Sequence, residues 1–186
     1  MNARVLALVI AAGCGGTAAT PAPKEVTPVV PAPVAPVVAA ELAVPAGAKL
    51  ALVANAKGVQ IYECAADAAG ALAWKLHAPR ADLFNESGAP IGKHYGGVDK
   101  GLAPGPYWEA IDGSRVHGAK PVSVPHEGSI PLLRLETADV SGTGVLGKVT
   151  FVQRLETAGG VAPKDACTAG QTSEVPYTAT YYFYAP

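Results

Sequence analysis

Glycine and proline interrupt this chain so often, at 21 and 17 of its 186 residues, that no long helix can run through it. Between the interruptions lie short segments whose apolar residues recur at every second position. Val59-Gln60-Ile61-Tyr62-Glu63-Cys64 alternates behind Gly58. In Ala71–His77, Leu72, Trp74 and Leu76 share one face, with Lys75 and His77 on the other. Lys148–Glu156 sets Val149, Phe151 and Leu155 opposite Thr150, Arg154 and Glu156. Tyr177–Tyr184 is aromatic and threonine-rich, as strands are. Period-two segments with turn residues between them predict an all-β fold, a single antiparallel sandwich or barrel-like domain. Periodicity does not choose between the two.

The turn at Asp112-Gly113 gives the most specific local expectation. Read as a two-residue hairpin, it opposes Ile111 to Ser114, Ala110 to Arg115, Glu109 to Val116 and Trp108 to His117. Trp108, Ala110, Arg115 and His117 then share one face, and Glu109, Ile111, Ser114 and Val116 the other.

The amino terminus has a different character. Arg4 precedes an uncharged apolar run, Val5–Ala12, and then Gly13-Cys14. This is the layout of a secretory signal over residues 1–13. The run is about half of the roughly 20 residues a membrane-spanning helix needs. Small residues directly before Cys14 resemble the bacterial lipobox, although Ala11 stands where that motif favours Leu. The resemblance implies a lipidated Cys14 and a membrane anchor at the cell envelope. Gly15, rather than Asp, after the cysteine favours an outer-membrane lipoprotein; a plain periplasmic or secreted protein is the alternative. Gly13-Cys14-Gly15-Gly16-Thr17-Ala18 also fits the dinucleotide fingerprint, but with no strand before it and no helix after it the match is accidental.

Residues 14–45 are rich in Ala, Pro and Val, a composition expected to form a disordered or extended linker. Residues 46–186 are long enough for one β domain with its own core. The net charge of -1 and the pI of about 6.4 give no electrostatic footprint for nucleic acid. Cys64 and Cys167 remain as an even pair in an exported domain and are expected to form a disulfide.

Several stretches in order resemble domain of unknown function 3455, a family of exported bacterial and fungal proteins. They are Val59–Cys64, Ile91-Gly92-Lys93-His94-Tyr95, Trp108-Glu109-Ala110 with Asp112-Gly113-Ser114, and Val175-Pro176-Tyr177-Thr178-Ala179. Val149–Pro163 and Cys167 extend the likeness, so it covers nearly the whole domain. The Val98–Pro104 stretch departs from the pattern as an insertion. The resemblance implies no established activity, cofactor or catalytic residue. Some fungal members carry a malate dehydrogenase label, which does not suit an all-β chain without a dinucleotide fingerprint.

Candidate site residues are few. The four histidines, His77, His94, His117 and His126, lack the spacing of a metal motif on either a helix or a strand. No metal site or cofactor is expected, no catalytic residue is assigned, and a G-x-S-x-G nucleophile elbow is absent. His94-Tyr95-Gly96-Gly97 is the best binding candidate, because paired glycines admit a ligand beside a titratable ring and a phenol. The competing reading is a glycine-requiring bend with Tyr95 in the core. Trp108 beside His117 would make a stacking floor for a sugar or aromatic ring, unless the tryptophans are core anchors. The favoured function is therefore an envelope-anchored module binding a small ligand, glycan or envelope protein. An enzyme or metal-binding protein centred on His94, with Tyr95, Glu109 or His117, is the alternative. An inhibitor of a secreted hydrolase is a weaker third.

Overall fold

The computed structural model describes residues 34–186. Cys14, the signal and most of the linker lie outside the described residues. The described residues form eight strands: β1 (Lys49–Ala66), β2 (Leu72–Phe84), β3 (Pro90–Gly96), β4 (Pro106–Ala110), β5 (Arg115–Val124), β6 (Leu132–Ser141), β7 (Phe151–Gly159) and β8 (Thr172–Ala185). Each pairs antiparallel with its neighbour in sequence. The ring closes where β8 returns to β1, from Lys49 opposite Ala185 to Glu63 opposite Thr172. The fold is thus an up-and-down barrel, which leaves no open sheet edge. Cys64 and Cys167 form the expected disulfide and tie the end of β1 to the segment before β8.

Alternation sorts the side chains into two cores. Inside the barrel lie Ala54, Ala56, Ala81, Leu83, Trp108, Val116, Leu135, Val152, Tyr177, Tyr181 and Phe183. Leu146 and Val149, from the segment between β6 and β7, join this cluster at the end that carries the β4–β5 turn. The second cluster is on the outer wall. There Tyr182, Tyr184, Leu155 and Phe151 are covered by residues ahead of β1, with Leu42 only 1% exposed in a short 3-10 turn and Val38 and Val44 packed beside it. Gln153 donates from Nε2 to the Leu42 carbonyl at 2.7 Å and accepts from the Tyr184 hydroxyl at 2.7 Å. Part of the proline-rich stretch is therefore a strap on the barrel wall.

That strap changes which face of β7 points inward. Its apolar residues Phe151 and Leu155 face outward under the strap, whereas Val152 and Arg154 face the interior. Arg154, which the alternation sets opposite Phe151 and Leu155, therefore faces the interior.

The β4–β5 hairpin also differs from its predicted register, by one residue. Trp108 opposes Val116, Tyr107 opposes His117 and Glu109 opposes Arg115. The loop holds three residues, with the Ala110 N–H donating to Ser114 O at 2.9 Å. Its cause is the Asp112 carboxylate, which accepts from the Ser114 N–H, the Ser114 hydroxyl and the Val145 N–H at 2.9, 2.6 and 2.8 Å. Only Gly113 takes a positive φ, of 81°, where a two-residue type I′ turn needs two such residues. The slip separates the predicted pair: Trp108 goes inside, His117 outside.

Candidate functional site

Eight strands enclose a space that side chains just fill, or that holds one small ligand when some of them are small. Here small residues thin the wall at the end opposite the β4–β5 turn. A Cβ on Gly118 would come within 2.9 Å of the Trp108 ring and 3.0 Å of Leu135, so glycine makes room for the indole. At this end a cavity of about 530 Å³ opens into the barrel. The buried Gln60, His94, Trp108 and Tyr181 form its depth, Arg154 and Leu133, partners across β6 and β7, are half-buried in its wall, and the exposed Leu76, Val98 and Pro121 mark its mouth.

The floor is aromatic. His94 stacks on Trp108 with centroids 4.6 Å apart and planes 11° apart. Tyr181 closes against both, 5.0 Å from His94 and 5.3 Å from Trp108. His94 is fully enclosed, and its Nδ1 lies 2.8 Å from the Tyr107 carbonyl oxygen. A carbonyl only accepts, so Nδ1 carries the proton and Nε2 keeps its lone pair. Burial drives the His94 pKa down to about 3; the Tyr107 bond opposes that shift, and the nearby Arg154 charge adds to it. The ring is neutral throughout the physiological range.

Around this floor stand nitrogen donors short of acceptors. Gln60 and Trp108 are each 1% exposed, yet Gln60 Nε2 has no hydrogen-bond partner in the protein and Trp108 Nε1 has none of ordinary hydrogen-bond geometry, with the Tyr181 hydroxyl near the indole N–H. A buried donor left unpaired costs about 1–3 kcal/mol. Arg154 adds a permanent cation. It donates from Nε and Nη2 to the Pro131 carbonyl at 3.2 and 2.9 Å. It belongs to none of the ion pairs among the described residues, and no Asp or Glu lines the cavity. Tyr181 stays a neutral phenol: burial raises its pKa, while Arg154 and then Tyr177 and the Trp108 N–H pull the other way.

Of the four residues singled out from sequence, two enter this site and two do not. His94 and Trp108 form its floor. Tyr95 faces outward and donates its hydroxyl to Glu109 Oε2 at 2.5 Å. His117 stacks on Tyr107 on the outer side, 4.3 Å between centroids, with its Nε2 3.1 Å from the Pro104 carbonyl. It meets the cavity only at the rim. The proposed trio of His94, His117 and Glu109 is therefore split by the barrel wall. Gly96 and Gly97 line the cavity with their backbone, but the space a side chain would take at each is filled by protein. A Cβ on Gly96 would lie 2.6 Å from that of Ala78, and one on Gly97 would run into the Ala103 carbonyl and the Tyr107 ring. The pair seats the β3–β4 loop. His77 pairs with Asp99 at 2.7 Å, and His126 Nδ1 lies 2.8 Å from the Thr157 hydroxyl. No group of three His, Cys, Asp or Glu side chains is placed to hold a metal ion among the described residues. Gln60 and Arg154 carry no sequence signal of their own, since a polar residue in an alternating strand reads as solvent-facing.

Fold and site together define an eight-stranded up-and-down barrel with a polar, aromatic-floored cavity at one end. The model of the family described as "Protein of unknown function (DUF3455)" matches residues 45–185, and the chain belongs to that family. No curated protein and no solved structure matches it.

Proposed function

We propose that the domain is a binding module that takes one small molecule into the open end of its barrel, at the cell envelope. The observation that carries the reading is the pair of donors without an ordinary hydrogen bond, Gln60 Nε2 and Trp108 Nε1, buried beside an open cavity. Unsatisfied buried polar groups are rare in folded proteins, and a ligand that accepts from them removes their cost. Catalysis by proton transfer fits less well. His94 is a very weak base at a pKa of about 3, and no carboxylate stands beside it to raise that value. The lipobox-like Met1–Cys14 supports an envelope location, with the lipid on Cys14 holding the protein to the membrane.

A neutral apolar fluorophore, N-phenyl-1-naphthylamine, tests the cavity. Saturable one-to-one binding is expected, together with its loss in Leu133→Trp, which fills the cavity of a barrel that remains folded by circular dichroism. Absence of saturable binding, or binding unchanged in Leu133→Trp, refutes the reading. The location is tested by Cys14→Ser, which is expected to move the protein from the membrane fraction to the soluble one.

A further inference from the structure

The chemistry of the cavity narrows the class of its ligand; the inference rests on the binding reading above. Trp108 Nε1 and the Arg154 guanidinium are donors only, and the orphaned end of Gln60 is its amide nitrogen. These residues come from three different strands, β1, β4 and β7, and all three line the one cavity. The matching head group is rich in acceptors. Arg154 sets its charge, because a guanidinium without a carboxylate partner repels ammonium and guanidinium heads and attracts an anion. No Lys and no second Arg lines the cavity, so the charge to be matched is a single one. A dianionic phosphomonoester would leave one charge unmet inside an apolar mouth. His94 Nε2 is the acceptor on the floor, and being neutral it does not oppose an anion. Toward the mouth the wall becomes Leu76, Val98 and Pro121, which suits an apolar body behind the head.

We infer that the barrel binds a monocarboxylate with an apolar tail, the carboxylate held by Arg154, Gln60 and Trp108 and the tail directed toward the mouth. The tested series is octanoate, octanamide, octylamine and octyl phosphate, each displacing N-phenyl-1-naphthylamine from the domain. Octanoate is expected to displace the probe at concentrations at least about tenfold lower than octanamide, as one charge-assisted hydrogen bond implies. Octylamine is expected to be weakest, and octyl phosphate to fall behind octanoate. Arg154→Gln is expected to abolish the preference for octanoate over octanamide, the two being compared within the same variant. Gln60→Met, which leaves the Arg154 contacts to Pro131 in place, is expected to reduce the preference as well.

Equal displacement by octanoate and octanamide overturns the inference, and this comparison needs no variant. So does a preference unchanged in Arg154→Gln, or octyl phosphate matching octanoate. In each of these cases the neutral probe still binds and the binding reading stands. If the neutral probe fails to bind at all, the binding reading fails and the ligand class falls with it.

Discussion

His94 lies flat on Trp108, with 4.6 Å between ring centroids and 11° between planes. The stack follows from the pairing of His94 with Trp108 across β3 and β4, both facing inward. It orients both rings. Trp108 Nε1 is left buried without a hydrogen bond of ordinary geometry, and His94 is held through Nδ1 by the Tyr107 carbonyl.

A histidine so enclosed makes stability depend on pH. Its folded pKa of about 3 lies below the ordinary 6.5, so between these values the unfolded chain binds a proton that the folded chain refuses. The stabilisation is complete above pH 6.5 and is lost as the pH falls toward 3, at about 1.4 kcal/mol per pH unit. Thermal denaturation from about pH 7.5 down to about pH 4.5 is expected to show Tm falling, with a shallower fall in His94→Phe. Equal slopes in the two proteins would remove His94 from the account.

The unpaired amide of Gln60 predicts a trade between stability and binding. Gln60→Met keeps similar volume and removes a buried polar group, so the empty protein gains about 1–3 kcal/mol in urea unfolding. A loss of stability would show that the amide has a structural partner.

The strap ahead of β1 belongs to the folded unit. Leu42 is buried against Tyr182, Tyr184 and Leu155, and its carbonyl accepts from Gln153. Leu42→Ala is expected to cost about 2–3 kcal/mol in the same unfolding measurement. A change below about 0.5 kcal/mol would mean that the strap contributes nothing to the barrel.

The Cys64–Cys167 bridge spans 103 residues and is reinforced at its ends, where the Cys64 N–H donates to Gln171 O and the Gly170 N–H to Cys64 O. Loss of the bridge in a Cys64→Ala/Cys167→Ala variant is expected to cost about 2–5 kcal/mol. Hydrogen exchange should rise first in residues 161–171, whose remaining ties include the Trp74 indole N–H to Asp165 O at 3.1 Å. Uniform exchange with unchanged stability would contradict this.

Much of the fold was legible in the alternating segments, because a strand with one buried face writes its period into the sequence. The disulfide was legible once Cys64 and Cys167 were read as the even cysteine pair of a domain expected to be exported. The site was half legible. Trp108 and His94 stand out by residue type, but Asp112 shifts the hairpin by one residue through bonds to Ser114 and Val145, the latter far along the chain. Arg154 was hidden for a related reason. Phe151 and Leu155 form the apolar face of β7, yet what covers them is the distant strap at Leu42, so the polar face turns inward. Both outcomes depend on contacts between segments, which periodicity within one segment does not carry.

The chain has two tryptophans, and their surroundings make them a matched pair of reporters. Trp108 Nε1 is buried at the cavity without a hydrogen bond of ordinary geometry, whereas Trp74 Nε1 already donates to Asp165 O outside it. The most direct measurement is an ¹H–¹⁵N spectrum of the two indole N–H groups during titration with octanoate. A saturable downfield shift of the Trp108 signal, with Trp74 stationary, is the expected result. A Trp108 signal that stays in place at saturating octanoate, or two signals that drift together, would contradict a ligand site built on Trp108, Gln60 and Arg154.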